Sequence, residues 1–182
     1  MAVALTEAMG VRTGQWQGAM TSFRGLPHRM ERVGEANGVL FINDSKATNP
    51  ESAAPALAAW PPNPGKRIHW ILGGLPKGDD LGDCSRHLGN VAAAYTIGEA
   101  GPHFADLLAP FVPVHRCELM VEAVRLAIEN TGPGDVVLFS PACASFDQFR
   151  DYETRGDTFR QLVAALTGIC IHPHGEEGRP PA

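Results

Sequence analysis

A chain of 182 residues and 19.4 kDa with 44% apolar content can bury one real core and keeps some length outside it. Its 15 Lys and Arg against 20 Asp and Glu, a formal net charge of -5, lack the basic footprint of a nucleic-acid or anionic-membrane binder, so small-molecule or protein partners are expected. Cys84, Cys117, Cys143 and Cys170 form no CxxC pair and no His cluster has metal-ligand spacing, which points to reduced thiols without a structural zinc. No stretch reaches the roughly 18 apolar residues of a membrane span, and MAVALTEAMG lacks the basic start and long apolar core of a signal peptide, so a cytoplasmic location is expected.

From the N-terminus, residues 1 to 22 show helical spacing of Val3, Leu5, Met9, Trp16 and Met20, broken at Gly10 and Gly14, which predicts two short helices. MERVGEANGVLFIND then places two β-rich runs around Asn37-Gly38, a strong hairpin signal, so a hairpin is expected at about 30 to 43. A helix started by Pro50 runs to Ala59, followed by the strand RIHWILGG, a helix near 81 to 89 and the strand VAAAYTIGEA. A short helix near 103 to 108, the strand PVHR, the amphipathic helix ELMVEAVRLAIENT, the strand DVVLFS and a last helix at about 155 to 167 complete the alternation. Apolar strands separated by amphipathic helices specify an α/β fold: a doubly wound, mostly parallel sheet covered on both faces, with an antiparallel hairpin at one edge. IHPHGEEGRPPA reads as a frayed tail.

Ligands of such sheets bind beyond the carboxyl ends of the strands. Three loops there carry chemistry. In the first, Asn43 to Pro50, a carboxylate, an ammonium and hydroxyls could face one ligand; alternatively Asp44 or Asn49 caps a turn or a helix. In the second, Gly73 to Asp80, two glycines and Lys77 suit an anion, although the GxxxxGK[ST] spacing of a P-loop is absent and a solvated lysine would look the same. In the third, Ser140 to Phe149, small residues leave backbone N–H groups accessible to a carboxylate. Cys143 there reads as a buried small hydrophobe, since no thiol-enzyme signature accompanies it. Of the seven histidines only His28, beside Arg29, stands apart, at an expected domain junction.

The strings TSFRGLPHRMERV, FINDSKATNPES, WILGGLPKGDD and VVLFSPACASFDQFRDYETRGDTF follow one another between about residues 15 and 167. Together they resemble the C-terminal domain of the Mur ligase family, in its D-glutamate-adding branch. The resemblance implies a Rossmann-like domain over residues 28–170 that binds the incoming amino acid, with residues 1–27 as the last helices of a central ATPase domain and 171–182 as a flexible tail. It implies ATP-dependent amide formation in peptidoglycan precursor synthesis: the L-alanine carboxylate of UDP-N-acetylmuramoyl-L-alanine becomes an acyl phosphate, which the D-glutamate amine attacks. Position by position, Lys46, Thr48, Lys77, Ser145, Phe146 and Tyr152 match residues that hold D-glutamate, and Arg29 and Asp44 match residues that face the nucleotide. ATP and Mg2+ would be bound mainly by the central domain. This chain contains no P-loop, no Mg2+-binding carboxylate set and no carbamylated lysine of that domain, so no catalytic residue is assigned here and activity alone is not expected. Two alternatives are a Mur ligase adding another residue, although the DNPR-like signature of the diaminopimelate- or lysine-adding enzymes is absent, and a non-catalytic α/β module that captures an acidic metabolite.

Overall fold

Asn37 and Gly38 take φ of 52° and 76°. A two-residue type I′ turn needs positive φ at both positions, and this one joins β1 (Glu31–Ala36) to β2 (Val39–Asn43) as the expected antiparallel hairpin. The computed structural model describes residues 2–22 and 25–171. Helices α1 (Ala2–Ala8) and α2 (Thr13–Ser22) precede the hairpin. The break between them falls at Gly10, with φ 79°, whereas Gly14, expected as a second break, lies inside α2. Most of the tail expected to fray, residues 172–182, lies outside the described residues.

After β2 the chain alternates: α3 (Pro50–Ala58), β3 (Ile68–Gly73), a 3-10 helix (Gly82–Asn90), β4 (Val91–Ile97), α4 (Gly101–Leu108), β5 (Val114–Glu118), α5 (Met120–Asn130), β6 (Val136–Phe139) and α6 (Tyr152–Thr167). Three boundaries or types differ from the sequence expectation. The segment near 81 to 89 is a 3-10 rather than an α-helix; Gly82 holds φ 48° and, with Gly89, weakens any longer α-helical run. α6 starts earlier, because Asp151 caps it by accepting from the Thr154 N–H at 2.7 Å. β4 stops at Ile97, short of GEA, where Gly98 turns with φ 65°.

The strand order is β1-β2-β6-β3-β4-β5, parallel except for β1 against β2. Side-chain alternation along β3 sends Ile68, Trp70 and Leu72 to one face, against α3, the 3-10 helix and α4 through Leu57, Cys84, Phe104 and Leu108. Ile71 points the other way, to a second core with Val124 and Ala127 of α5 and Phe159 and Val163 of α6. Both faces are therefore buried, and β3 is covered along its whole length, His69 included.

The topology also places the site. From β3 the chain steps outward through β4 to β5, then β6 returns to lie between β2 and β3. Phe139 at the end of β6 is in register with Asn43 of β2 and with Ile71 of β3. The loops that follow β2, β3 and β6 consequently leave the same edge of the sheet side by side, at the position where strand order reverses.

Candidate functional site

Each of these three loops is tied to the other two. The loop after β3 pairs with the loop after β6: Leu75 and Ala144 exchange N–H to carbonyl bonds, both 2.9 Å. That approach requires a glycine at 74, where φ is 133° and a Cβ would stand 2.4 Å from the Ala144 carbonyl oxygen. The loop after β2 is held to the loop after β6 by the Ser140 hydroxyl, which donates to Asp44 Oδ2 at 2.8 Å. It is held to the loop after β3 by Lys77 Nζ, which donates to Thr48 Oγ1 at 3.3 Å.

Beneath the loops lies Arg155, from the first turn of α6. Its guanidinium is buried and donates to Ser45 Oγ at 3.1 Å, to the Ser45 carbonyl at 2.8 Å and to the Cys143 carbonyl at 3.0 Å. The Ser45 hydroxyl in turn donates to the Tyr152 carbonyl at 2.8 Å. One cation thus fixes the loops after β2 and β6 and the start of α6 together. Burial draws its pKa down to about 10, so it remains charged at neutral pH.

The front of the site is a cleft of about 210 Å³ lined by Arg29, Asp44, Lys46, Ala47, Thr48 and Ser52. Lys46 Nζ stands 3.7 Å from the centre of the Tyr152 ring, a cation–π contact that orients the ammonium. The Lys46 backbone N–H donates to the His28 carbonyl at 3.0 Å, so the position of the cation depends on the His28–Arg29 corner. His28 is buried with φ 61°, and its Nδ1 lies 3.1 Å from Asn43 Nδ2. Asp44 is also buried. Burial raises its pKa above the usual carboxylate value, opposed in turn by the Ser140 hydroxyl, the Met30 N–H at 3.1 Å and the charge of Arg29.

Of the residues singled out from sequence, Arg29, Asp44, Lys46 and Thr48 share this cleft, Lys77 reaches its edge through Thr48, and Tyr152 supports Lys46. Ser145 and Phe146 stand apart from the cleft lining. Ser145 is buried, its carbonyl accepting from the Gln148 and Phe149 N–H groups at 3.2 and 2.8 Å, and Phe146 is 69% exposed. Asn49 does cap α3, accepting from the Ser52 N–H at 2.9 Å, whereas Asp44 is spent on Met30 and Ser140 and caps no helix. Cys143 is fully buried and its thiol is pushed up to about 12 by burial, which suits packing and not nucleophilic attack. Sequence reading missed Arg155, Ser140 and Ser45. A buried arginine at the start of an amphipathic helix leaves only one signal, its place on the apolar side of α6 one turn before Phe159.

In chemical terms the cleft offers two cations, two hydroxyls and a carboxylate with restricted solvent access. Arg29 and Lys46 can balance the charge of a carboxylate or a phosphate while Thr48 and Ser52 supply hydrogen bonds. Among the described residues no group of three His, Cys, Asp or Glu side chains converges where a metal could be held.

Residues 28–143, which span the hairpin and all three loop origins, match the model of the Mur ligase, glutamate ligase domain. The UDP-N-acetylmuramoylalanine--D-glutamate ligase of Novosphingobium aromaticivorans is 62% identical over 166 residues, which cover 91% of this chain and 36% of that protein. The chain therefore spans about a third of the length of the curated relative it matches. Among solved structures it is similar to the MurC UDP-N-acetylmuramate-alanine ligase of Thermotoga maritima (TM-score 0.63, 16% identity, 90% of this chain and 36% of that one). It is also similar to the MurF ligase of the same organism in complex with ADP (TM-score 0.59, 17% identity, 91% and 36%). At such identities these two likenesses concern the fold, and the match over residues 28–143 carries the assignment: this chain belongs to the Mur ligase family, through its glutamate ligase domain.

Proposed function

We propose that residues 28–170 form the amino-acid-accepting domain of an ATP-dependent ligase that joins D-glutamate to UDP-N-acetylmuramoyl-L-alanine in the synthesis of peptidoglycan precursors. Residues 1–27 are then the last helices of a central ATPase domain, which with an N-terminal domain supplies the rest of the site in the cytoplasm. The observation that carries this reading is the convergence of Lys46, Thr48 and Lys77, from two different loops, around one polar cleft. Glutamate brings two carboxylates, which two ammonium groups and a hydroxyl can hold while its amine projects toward the reacting partner. In the reaction, transfer of the terminal phosphoryl group of ATP to the L-alanine carboxylate releases ADP. The D-glutamate nitrogen then attacks the acyl carbon, the bond to phosphate breaks, and a proton leaves the nitrogen.

Arg29 and Asp44 are assigned to the nucleotide side. The guanidinium of Arg29 is exposed at the cleft mouth, where it can meet phosphate charge once the domains close. Ser145 and Phe146 complete the amino-acid pocket in the closed arrangement, Ser145 by its backbone and hydroxyl and Phe146 by covering the side chain. The described residues supply no carboxylate set for Mg2+, so that ion is left to the central domain and no step here is drawn through it. The isolated chain is expected to bind without turning over.

The test is a titration of the isotope-labelled 182-residue protein with D-glutamate, followed by amide chemical shifts, with L-glutamate in parallel. Saturable, D-selective shifts around Lys46, Thr48 and Lys77 that vanish in Lys77→Ala are expected. Equal responses to both enantiomers, or a response untouched by Lys77→Ala, would overturn the assignment.

A further inference from the structure

Arg29 stands between two residues held in the left-handed region, His28 with φ 61° and Met30 with φ 46°. Such backbone is costly outside glycine and persists only where its surroundings fix it. Here the peptides on either side of Arg29 each have a partner. The His28 N–H donates to Glu31 Oε2 at 2.9 Å, the Lys46 N–H donates to the His28 carbonyl at 3.0 Å, and the Met30 N–H donates to Asp44 Oδ1 at 3.1 Å.

Lys46 and Asp44 line the cleft, whereas Glu31 does not. The Glu31 side chain is only 9% exposed. Its Oε2 also accepts from Asn43 Nδ2 at 2.9 Å, and its Oε1 pairs with Arg160 of α6, whose Nε lies 3.1 Å away. Asn43 carries the connection on toward the second cation, since its Oδ1 accepts from the Ser45 N–H at 3.2 Å, one residue before Lys46. One carboxylate therefore ties together the residue before Arg29, the strand end that leads to Lys46, and α6. A buried ion pair adds little net stability over apolar residues of similar volume. What this one fixes is the direction in which two cations enter the cleft.

We propose that Glu31 is a positioning residue of the ligase reaction, holding His28 left-handed and Asn43 in place so that Arg29 and Lys46 are aimed at the anionic groups of the ligands. This rests on the reading of the cleft above, in which Lys46 meets D-glutamate and Arg29 meets nucleotide phosphate. The sign of the effect separates positioning from charge. Glu31→Gln removes a negative charge near two cations, which by Coulomb attraction alone would strengthen anion binding. A weakening therefore reports lost orientation: the glutamine carbonyl can still accept from one neighbour, but its amide turns a donor toward the other donors of His28, Asn43 and Arg160.

The experiment titrates the labelled 182-residue protein and its Glu31→Gln variant with D-glutamate and, separately, with inorganic pyrophosphate at constant ionic strength. Midpoints about fivefold higher or more are expected for both anions in the variant. Exchange of the Lys46 amide proton should be about tenfold faster. Val124→Ala, a core change in α5 that lowers stability away from this corner, should leave both midpoints within about twofold. Unchanged or tighter anion binding in Glu31→Gln, or equal losses in Val124→Ala, would overturn the proposal. If the parent responds to neither anion, the reading of the cleft fails by itself, and unchanged protection of the Lys46 amide in the variant then overturns the role of Glu31. If Glu31→Gln does not fold, Glu31→Asp is read by the same outcomes, because it keeps the charge but is one methylene too short to span the His28 N–H and Arg160 together.

Discussion

Arg155 and Ser45 lie 110 positions apart and meet through two hydrogen bonds, guanidinium Nη2 to the Ser45 carbonyl at 2.8 Å and Nε to the Ser45 hydroxyl at 3.1 Å. Planarity lets the third arm reach the Cys143 carbonyl in the same plane of contact, which an ammonium could not do. Arg155→Ala would leave two buried carbonyls and a hydroxyl without their donor and a cavity below the site. We expect a stability loss on the order of 3 kcal/mol, and a smaller but measurable loss for Arg155→Lys. Urea denaturation of the three proteins measures it; a loss below about 0.5 kcal/mol for the alanine variant would show that the loops hold themselves.

Gly156 follows in the same helix, and its substitution separates propensity from packing. A helical Gly→Ala change ordinarily stabilises by about 1 kcal/mol. Here a Cβ would come within 2.2 Å of His28 Nδ1, a buried ring whose carbonyl holds Lys46. The sign should therefore invert, with Gly156→Ala destabilising by about 1–3 kcal/mol and shifting the Lys46 amide. A melting temperature at or above that of the parent would contradict this.

His69 sets part of the acid limb of stability. Burial lowers its pKa from the ordinary 6.5, opposed by Asp135 and reinforced by His115, and its Nδ1 lies 2.9 Å from the Tyr95 hydroxyl. The unfolded chain takes up a proton at 6.5 that the folded chain resists. The contribution is thus complete above 6.5 and is lost as pH falls toward the lower folded value. Thermal unfolding between about pH 7.5 and 5 should give a shallower decline for His69→Gln than for the parent. Identical slopes would remove His69 from the account.

The hairpin and the alternation of strands and helices were legible in the sequence because they are local: Asn37-Gly38 dictates its turn, and apolar runs of strand length bounded by loops dictate the layers. The three loops were legible because α/β sheets deliver ligands to the carboxyl ends of their strands. What held them together was not. Ser140 to Asp44 and Lys77 to Thr48 join residues 96 and 29 positions apart, and no periodicity encodes such pairs. An arginine reads as a surface residue until tertiary packing places carbonyls around it, which is why Arg155 escaped notice. The 3-10 helix likewise depends on how Asp80 turns the chain, its Oδ1 accepting from the Gly82 N–H at 2.8 Å.

Lys46 and Tyr152 give the most direct reading of the proposed amino-acid pocket. The ammonium stands 3.7 Å from the ring centre, so the aromatic face, not the hydroxyl, holds it in place. Tyr152→Phe keeps that face and should leave D-glutamate-induced shifts and their midpoint unchanged within about twofold. Tyr152→Leu removes the ring quadrupole, frees the lysine to sample other rotamers, and should weaken binding about three- to tenfold, equivalent to roughly 0.6–1.4 kcal/mol. The two variants separate orientation from simple occupancy of space. If Phe and Leu weaken binding equally, the Tyr152 hydroxyl contributes directly; if neither does, Lys46 is held from its backbone through His28 and the ring only shields the site.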